Sequence, residues 1–118
     1  MLIMNESFTR IDQEVLANNG TVVLYTVPAG YSLFLSESML HASIIGIGYG
    51  SLVIRDTLDA TVRTINQLGV ASAIAAVISD HNHYPDYIEV PAGYDIAVVS
   101  SAAPLTVIGG ISGLLTVE

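Results

Sequence analysis

The composition of this 118-residue chain limits both its size class and its partners. A chain of this length fits one domain with a single core. Its net charge is −8, because eleven acidic side chains oppose three arginines and no lysine. Nucleic acids and anionic membrane surfaces both attract clustered Lys and Arg. The charge therefore predicts no nucleic-acid partner and no membrane partner, and the lack of cysteine excludes a disulfide framework.

Surface charge is scarce relative to apolar content. The chain is 52% hydrophobic and 12% charged, whereas a typical soluble domain carries about 25% charged residues. The deficit is explained either by a membrane or by a protein that covers the surface. The longest nearly apolar stretch, residues 68–78, is shorter than the ~20 residues of a spanning helix. The composition therefore favours a chain that is covered by copies of itself or by another protein.

In chain order, residues 1–19 are predicted to form an N-terminal arm. Its tip is apolar and consists of Met1, Leu2, Ile3 and Met4. We expect this tip to dock onto a neighbouring subunit. Residues 9–17 begin with a Thr-x-x-Asp pattern that resembles a helix cap, so part of the arm could be helical.

From residue 20 onwards the dominant period is two. Seven segments rich in β-branched and aromatic residues alternate in this way: 21–27, 31–35, 51–55, 61–65, 94–99, 105–108 and 114–117. Frequent glycine and proline between them are typical of an all-β sandwich or barrel. The Ala-rich residues 71–79 fit a helical turn or a buried strand, and their neighbours favour a strand. Residues 20–118 are therefore predicted to be an antiparallel β-sandwich of jelly-roll type.

The phrase VPAGY occurs twice, at residues 27–31 and 90–94. Around both copies apolar residues match at every second position, so the strand register is repeated as well. Proline suits a tight turn, and glycine two residues later permits a positive φ. With one glycine, no lysine and a strand after it, the phrase does not fit a phosphate loop. We interpret it as a structural corner between strands, from either an internal duplication or the same corner used twice. The residues that would shape the corners are Pro28, Gly30, Pro91 and Gly93.

Residues 80–89, DHNHYPDYIE, are the best candidate for metal chemistry. His81 and His83 form an H-x-H pair with acidic residues close by, which are plausible metal ligands. The stretch resembles the cupin pattern, in which H-x-H, a downstream Glu and a P-x-G…H element gather a metal inside a β-barrel. Glu89 is six residues beyond His83, and no histidine follows either P-A-G, so the match is incomplete. The favoured interpretation is a polar loop with two solvated histidines. A metal shared by H-x-H pairs on an oligomer axis and buried or interface histidines are the alternatives.

The sequence contains no other recognisable set of catalytic residues. Asp56 and Asp59 bracket a turn-like segment, where acidic residues are usually solvated, and no serine occupies a Gly-x-Ser-x-Gly elbow. The six tyrosines could stack on sugars, but packing in the core or at an interface is the favoured use. The chain is therefore predicted not to be an enzyme and to need no cofactor. His81 and His83 are the only candidates for metal ligands.

Residues 24–30, LYTVPAG, followed by an alternating strand, resemble the Y-T-V-P-A-G corner of small β-sandwich structural proteins of tailed bacteriophages. The segment YIEVPAGYDI resembles a second corner that such proteins carry. Together the two similar segments span residues 21–40 and 84–100. The resemblance implies a virion component without catalysis, either a capsid decoration (cement) protein or a neck, tail or fibre subunit.

The predicted function is capsid decoration on the exterior of the virion. A homotrimer of this chain would bind the major capsid protein and stiffen the shell by added buried area. One alternative is a phage tail, neck or fibre subunit with glycan-binding loops. The less favoured alternative is a cupin-like metal-dependent enzyme, which would hold its metal through His81 and His83.

Overall fold

The computed structural model describes residues 8–101 and 105–118, apart from the side chains of Phe8 and of residues 43–47 and 70–78. The described chain forms six strands: β1 (Phe8–Asn18), β2 (Gly20–Thr26), β3 (Tyr31–Arg55), β4 (Thr61–Val90), β5 (Asp95–Ser100) and β6 (Thr106–Val117). All of their pairings are antiparallel. The all-β antiparallel class predicted from the two-residue period is confirmed. No helix in this part of the chain is long and apolar enough to cross a membrane.

The strand pairings are nested. β1 pairs with β6, β2 with β5 and β3 with β4, so the first half of the chain runs antiparallel to the second half. β3 also pairs with β6 through residues 31–43 and with β5 through residues 50–55. β3 and β4 therefore belong to both sheets, whose strand orders are β1-β6-β3-β4 and β2-β5-β3-β4. This nested arrangement is the topology of a jelly roll.

The two sheets enclose an aliphatic core. Fully buried residues include Leu33, Leu35 and Leu40 from the first sheet and Leu52, Ile96 and Val98 from the second. The two sheets lie close together at Gly109 of β6. A Cβ at this position would overlap Val98 Cγ2 and lie 3.1 Å from Leu52 Cδ1. Only glycine therefore fits between the sheets at this point.

β1 occupies most of the segment predicted to be an arm. Its residues pair with β6 from Phe8 to Asn18, so the helix considered for residues 9–17 is wrong. Ile11 and Val15 pack against the core. Residues four positions apart share a face in a strand as they do in a helix, so this spacing fits both structures. The sandwich therefore includes β1 rather than beginning at residue 20. Residues 1–7, with the apolar tip, lie outside the described residues.

The two VPAGY phrases form equivalent tight turns that lie side by side. In each phrase the tyrosine N–H donates to the proline carbonyl oxygen at 3.2 Å. Proline is therefore the first residue of the turn rather than the second, and Gly30 and Gly93 have φ values of 83° and 84°. Val27 joins the two turns, because its N–H donates to Tyr94 O and its carbonyl accepts from Gly93 N, both at 2.9 Å. The repeated phrase thus builds both halves of one end of the sandwich, which we call the corner end.

An ion pair secures the second sheet at the corner end. Arg55 and Asp95 are cross-strand neighbours on β3 and β5. Arg55 Nε and Nη2 donate to the two carboxylate oxygens of Asp95 at 2.8 and 2.9 Å. The two side chains are only 15% and 10% exposed, and their hydrogen bonds raise the pKa of Arg55. A bidentate pair with so little solvent contact holds strand ends together more firmly than a surface pair does.

We expect Gly93→Ala to destabilise the protein more than Gly30→Ala. A non-glycine residue at positive φ costs about 1–2 kcal/mol at either position. Only at Gly93 would the new Cβ also lie 2.9 Å from a side-chain atom, Thr57 Cγ2. Urea unfolding of both variants measures the difference. Thr57→Ser removes that methyl group, so the double variant Gly93→Ala/Thr57→Ser should lose no more unfolding free energy than Gly30→Ala does. Equal losses of unfolding free energy in the two single glycine variants would contradict the contact with Thr57.

Gly109→Ala should lower the free energy of unfolding by about 1–3 kcal/mol, because an overpacked core side chain forces its neighbours to move. The matched control is Gly69→Ala in β4, where a Cβ would meet no heavy atom within 4 Å. That control should stay within about 0.5 kcal/mol of the wild type. The same unfolding titration compares both, and similar losses at the two positions would argue against close sheet packing at Gly109.

Candidate functional site

The H-x-H stretch lies on an edge strand, β4, and not in the polar loop that the sequence favoured. Residues two apart on a strand share a face, so His81 and His83 both project from the outer face of the first sheet. Their side chains are 56% and 70% exposed. The pair therefore lies outside the sandwich, whereas a cupin-like metal site would require it inside the barrel.

A bulge of four residues follows the histidine pair in β4. Glu37 is paired with His83 and Leu35 with Ile88, so residues 84–87 of β4 face Ser36 alone. Pro85 is tolerated there because a bulge on an edge strand needs no ladder hydrogen bond from it. The bulge ends at Tyr87, which has a positive φ of 58°. Pro85 thus lies where the pairing is interrupted, and the strand continues beyond it.

Glu37 of β3 completes a cluster with the two histidines. It lies directly opposite His83 and diagonally from His81 in the β3–β4 register. Glu37 Oε1 is 3.3 Å from His81 Nε2 and 3.6 Å from His83 Nδ1. One ligand atom from each of the three residues can be chosen so that all lie within 4.8 Å of one another. Two imidazoles and a carboxylate in this arrangement are able to bind a metal ion.

A polar row crosses the outer face from the cluster to the opposite edge. Asp12, Ser112, Glu37 and His83 are successive neighbours on β1, β6, β3 and β4. The Ser112 hydroxyl donates to Asp12, and Arg10 Nε donates to the same carboxylate at 3.1 Å. These hydrogen bonds lower the pKa of Asp12, with the one from Ser112 contributing most. The row therefore places a second carboxylate on the face that carries the histidines.

A groove of about 390 Å³ lies along this face beside the polar row. Its lining includes the carboxylates of Asp12, Glu14 and Glu37 together with His81. Gly110 leaves room for it, since a Cβ there would lie 3.3 Å from Met39 Cγ. The acidic lining favours a cationic rather than an anionic ligand.

A buried polar network lies beneath the cluster and joins the two sheets along β4. Ser38 and Asn66 are 1% and 2% exposed, and Ser38 Oγ donates to Asn66 Oδ1 at 2.5 Å. Asn66 Nδ2 in turn donates to Asp80 Oδ2 at 2.8 Å. The Tyr84 hydroxyl is hydrogen-bonded to Ser38 Oγ at 2.6 Å and donates to Ile65 O at 3.4 Å. Within the described residues no buried side-chain nitrogen or oxygen lacks a partner. The network holds alternate residues of β3 and β4 inward, which keeps the cluster residues outward.

The acidic pair in the β3–β4 turn has a structural role. Asp56 Oδ1 accepts from the backbone N–H groups of Leu58 and Ala60 at 2.8 and 3.0 Å. Asp59 has a φ of 63° and lies 3.5 Å from Arg55 Nη2. These contacts shape the turn, as short Asp side chains commonly do. The structure does not bring the two carboxylates into the outer-face cluster.

No protein-family model matches the sequence, and no curated protein matches it. Among solved structures, a chain of Bacillus endospore appendages, described as disulfide-linked pili, is 10% identical with a TM-score of 0.44, over 95% of this chain and 90% of that one. A virus-like particle chain of the extra small virus of the prawn Macrobrachium rosenbergii is 15% identical with a TM-score of 0.40, over 100% and 84%. A chain of T=1 particles derived from infectious bursal virus is 14% identical with a TM-score of 0.42, over 94% and 31%. Similarities this distant do not indicate what the present chain does.

We expect Asn66→Ala to lower the free energy of unfolding by about 1–3 kcal/mol, because it removes the acceptor of the buried Ser38 hydroxyl and a donor to the Asp80 carboxylate. The matched control is Gln67→Ala at the next position, where the side chain is exposed. The control should change stability by no more than about 0.5 kcal/mol. Denaturant unfolding of the two variants makes the comparison. An Asn66→Ala protein as stable as the control would show that the network does not hold the β4 edge.

Proposed function

We propose that this protein is a non-enzymatic virion structural protein, namely a capsid decoration protein that binds the major capsid lattice as a homo-oligomer. The main support for this proposal is a set of large apolar side chains that are exposed on a sandwich with few charged residues. They are Leu16, Val23, Tyr31, Tyr49, Leu58, Val62, Tyr87 and Val117. Leu58 is the most exposed of them, at 86%. Burial of such side chains against a partner would be favourable and would not depend on ion pairs.

Several of these side chains lie at the corner end. Tyr31 and Val117 are neighbours on β3 and β6, and Leu58 occupies the β3–β4 turn. β1 begins at the same end, because Phe8 pairs with Thr116. The apolar tip, Met1 to Met4, lies outside the described residues and precedes β1 in the sequence. We assign the corner end and the tip to the contact with a neighbouring subunit.

Free strand edges provide a second means of attachment. β1, β2 and β4 stand at the ends of the two strand orders, so each has an edge that no other described strand pairs with. An exposed edge can accept a strand from another chain through backbone hydrogen bonds. Neighbouring subunits in a lattice could pair with these edges through backbone groups alone.

The resemblance of the two corners to those of tailed-phage sandwich proteins points in the same direction. Jelly rolls occur in viral capsid domains, but also in lectins and cupins, so the fold alone does not decide the function. The outward position of His81 and His83 counts against a cupin-like enzyme. The exposed Tyr31, Tyr49 and Tyr87 favour a glycan-binding tail or fibre subunit as the second candidate.

We expect the full chain to be a homotrimer and removal of residues 1–7 to weaken its binding to capsids lacking this protein. Light scattering should give a mass of about 37 kDa, three times the 12.4 kDa chain. The truncation stops before β1, whereas removal of residues 1–15 would delete most of that strand. Unchanged unfolding of the shortened protein is the control for the fold.

Capsid binding that is unaffected by the truncation would contradict the role of the tip. A full-length protein that is monomeric and does not bind capsids would overturn the proposed function. Attachment to tails rather than heads, seen by gold labelling of virions, would support the second candidate instead.

A further inference from the structure

We propose that Glu37, His81 and His83 form a binding site for a divalent transition metal ion such as Zn²⁺. Imidazole nitrogen and carboxylate oxygen are donors that zinc takes in proteins. All three residues are on paired strands of one sheet, at adjacent positions of the β3–β4 register. The donors are therefore positioned by the fold itself.

The two distances from Glu37 to the histidines fit a coordination shell. In a tetrahedral zinc site with bonds of about 2.0–2.1 Å, neighbouring ligand atoms are about 3.3 Å apart. Glu37 Oε1 lies 3.3 Å from His81 Nε2 and 3.6 Å from His83 Nδ1. Both separations exceed the usual N–H···O range of about 2.7–3.2 Å. The ligand atoms of the three residues lie within 4.8 Å of one another, so rotation of the exposed histidine side chains would bring all three donors onto one ion.

The surroundings favour a cation. The carboxylates of Asp12 and Glu14 line the same groove as Glu37, and the whole chain has a net charge of −8. Negative charge of this kind raises the local concentration of cations. The cluster is also held from below, since the buried network fixes β4 in the register that directs both histidines outward.

Three protein donors leave one position of a tetrahedral ion open. Both imidazoles are more than half exposed, so this position faces solvent or another subunit. Water would complete the shell in the isolated chain, and a donor from a second copy could replace it in an assembly. The site is on the outer face of the sandwich and is independent of the proposed capsid function.

The test is a calorimetric titration of the full chain with Zn²⁺ at neutral pH, with Co²⁺ absorption as a second readout. We expect saturable binding, with a Kd at least tenfold weaker in each of Glu37→Gln, His81→Ala and His83→Ala. The matched control is His41→Ala, which removes the third histidine of the chain. His41 is on the same face but contacts Ser79 at 3.0 Å and is not in the cluster. Its variant should bind Zn²⁺ like the wild type.

Thermal unfolding of each variant with and without Zn²⁺ separates loss of metal binding from a folding defect. A bound ion stabilises the native state, so Tm should rise in the wild type and in His41→Ala and stay unchanged in the three cluster variants. Equal Zn²⁺ affinity in all variants, loss of binding in His41→Ala alone, or no binding up to about 1 mM Zn²⁺ would overturn the proposal. One ion for two or three chains, with the same loss in the cluster variants, would support the site and show that copies share it.

Discussion

The pairing of β3 with β4 determines how the two sheets and the core between them are arranged. The two strands pass together from one sheet into the other, and β3 offers its second edge first to β6 and then to β5. The β3–β4 pair is thus a continuous ribbon that joins the two sheets. Because each half of the ribbon has one aliphatic face, the passage places those faces against each other and forms the core between them. The close approach at Gly109 follows from that arrangement.

The same ribbon explains why structural and chemical residues alternate along it. Ser38 and Asp80 point into the buried network, while Glu37 and His81, their neighbours in sequence, point outward. A shift of one residue in the register would exchange these two sets. Asn66 opposes such a shift, because it contacts the first sheet from the second. The stability of the sandwich and the geometry of the cluster thus depend on one set of hydrogen bonds.

Period-two patterning predicted the sandwich well, because strands with one buried face alternate. It was less informative for β1, where Ile11 and Val15 suit both a strand and a helix. Glycines and Pro85 suggested chain breaks, yet Gly50 and Gly69 pair with strand partners inside β3 and β4, and Pro85 lies in a bulge. The H-x-H pair was visible in the sequence. Its carboxylate partner, Glu37, was not, since only the strand register brings the two segments together.

The first and last strands of the described chain, β1 and β6, lie side by side in opposite directions, with Phe8 opposite Thr116 at the corner end. Beyond β6, Glu118 N donates to Gly30 O at 2.9 Å. Tension that pulls on these two chain ends would open the β1–β6 ladder one pair after another, as a zipper opens, since antiparallel hydrogen bonds run perpendicular to the strands. Tension applied through the sheet faces would instead be shared by many bonds at once. The sandwich would therefore resist a load on its faces better than a load on the ends of these two strands.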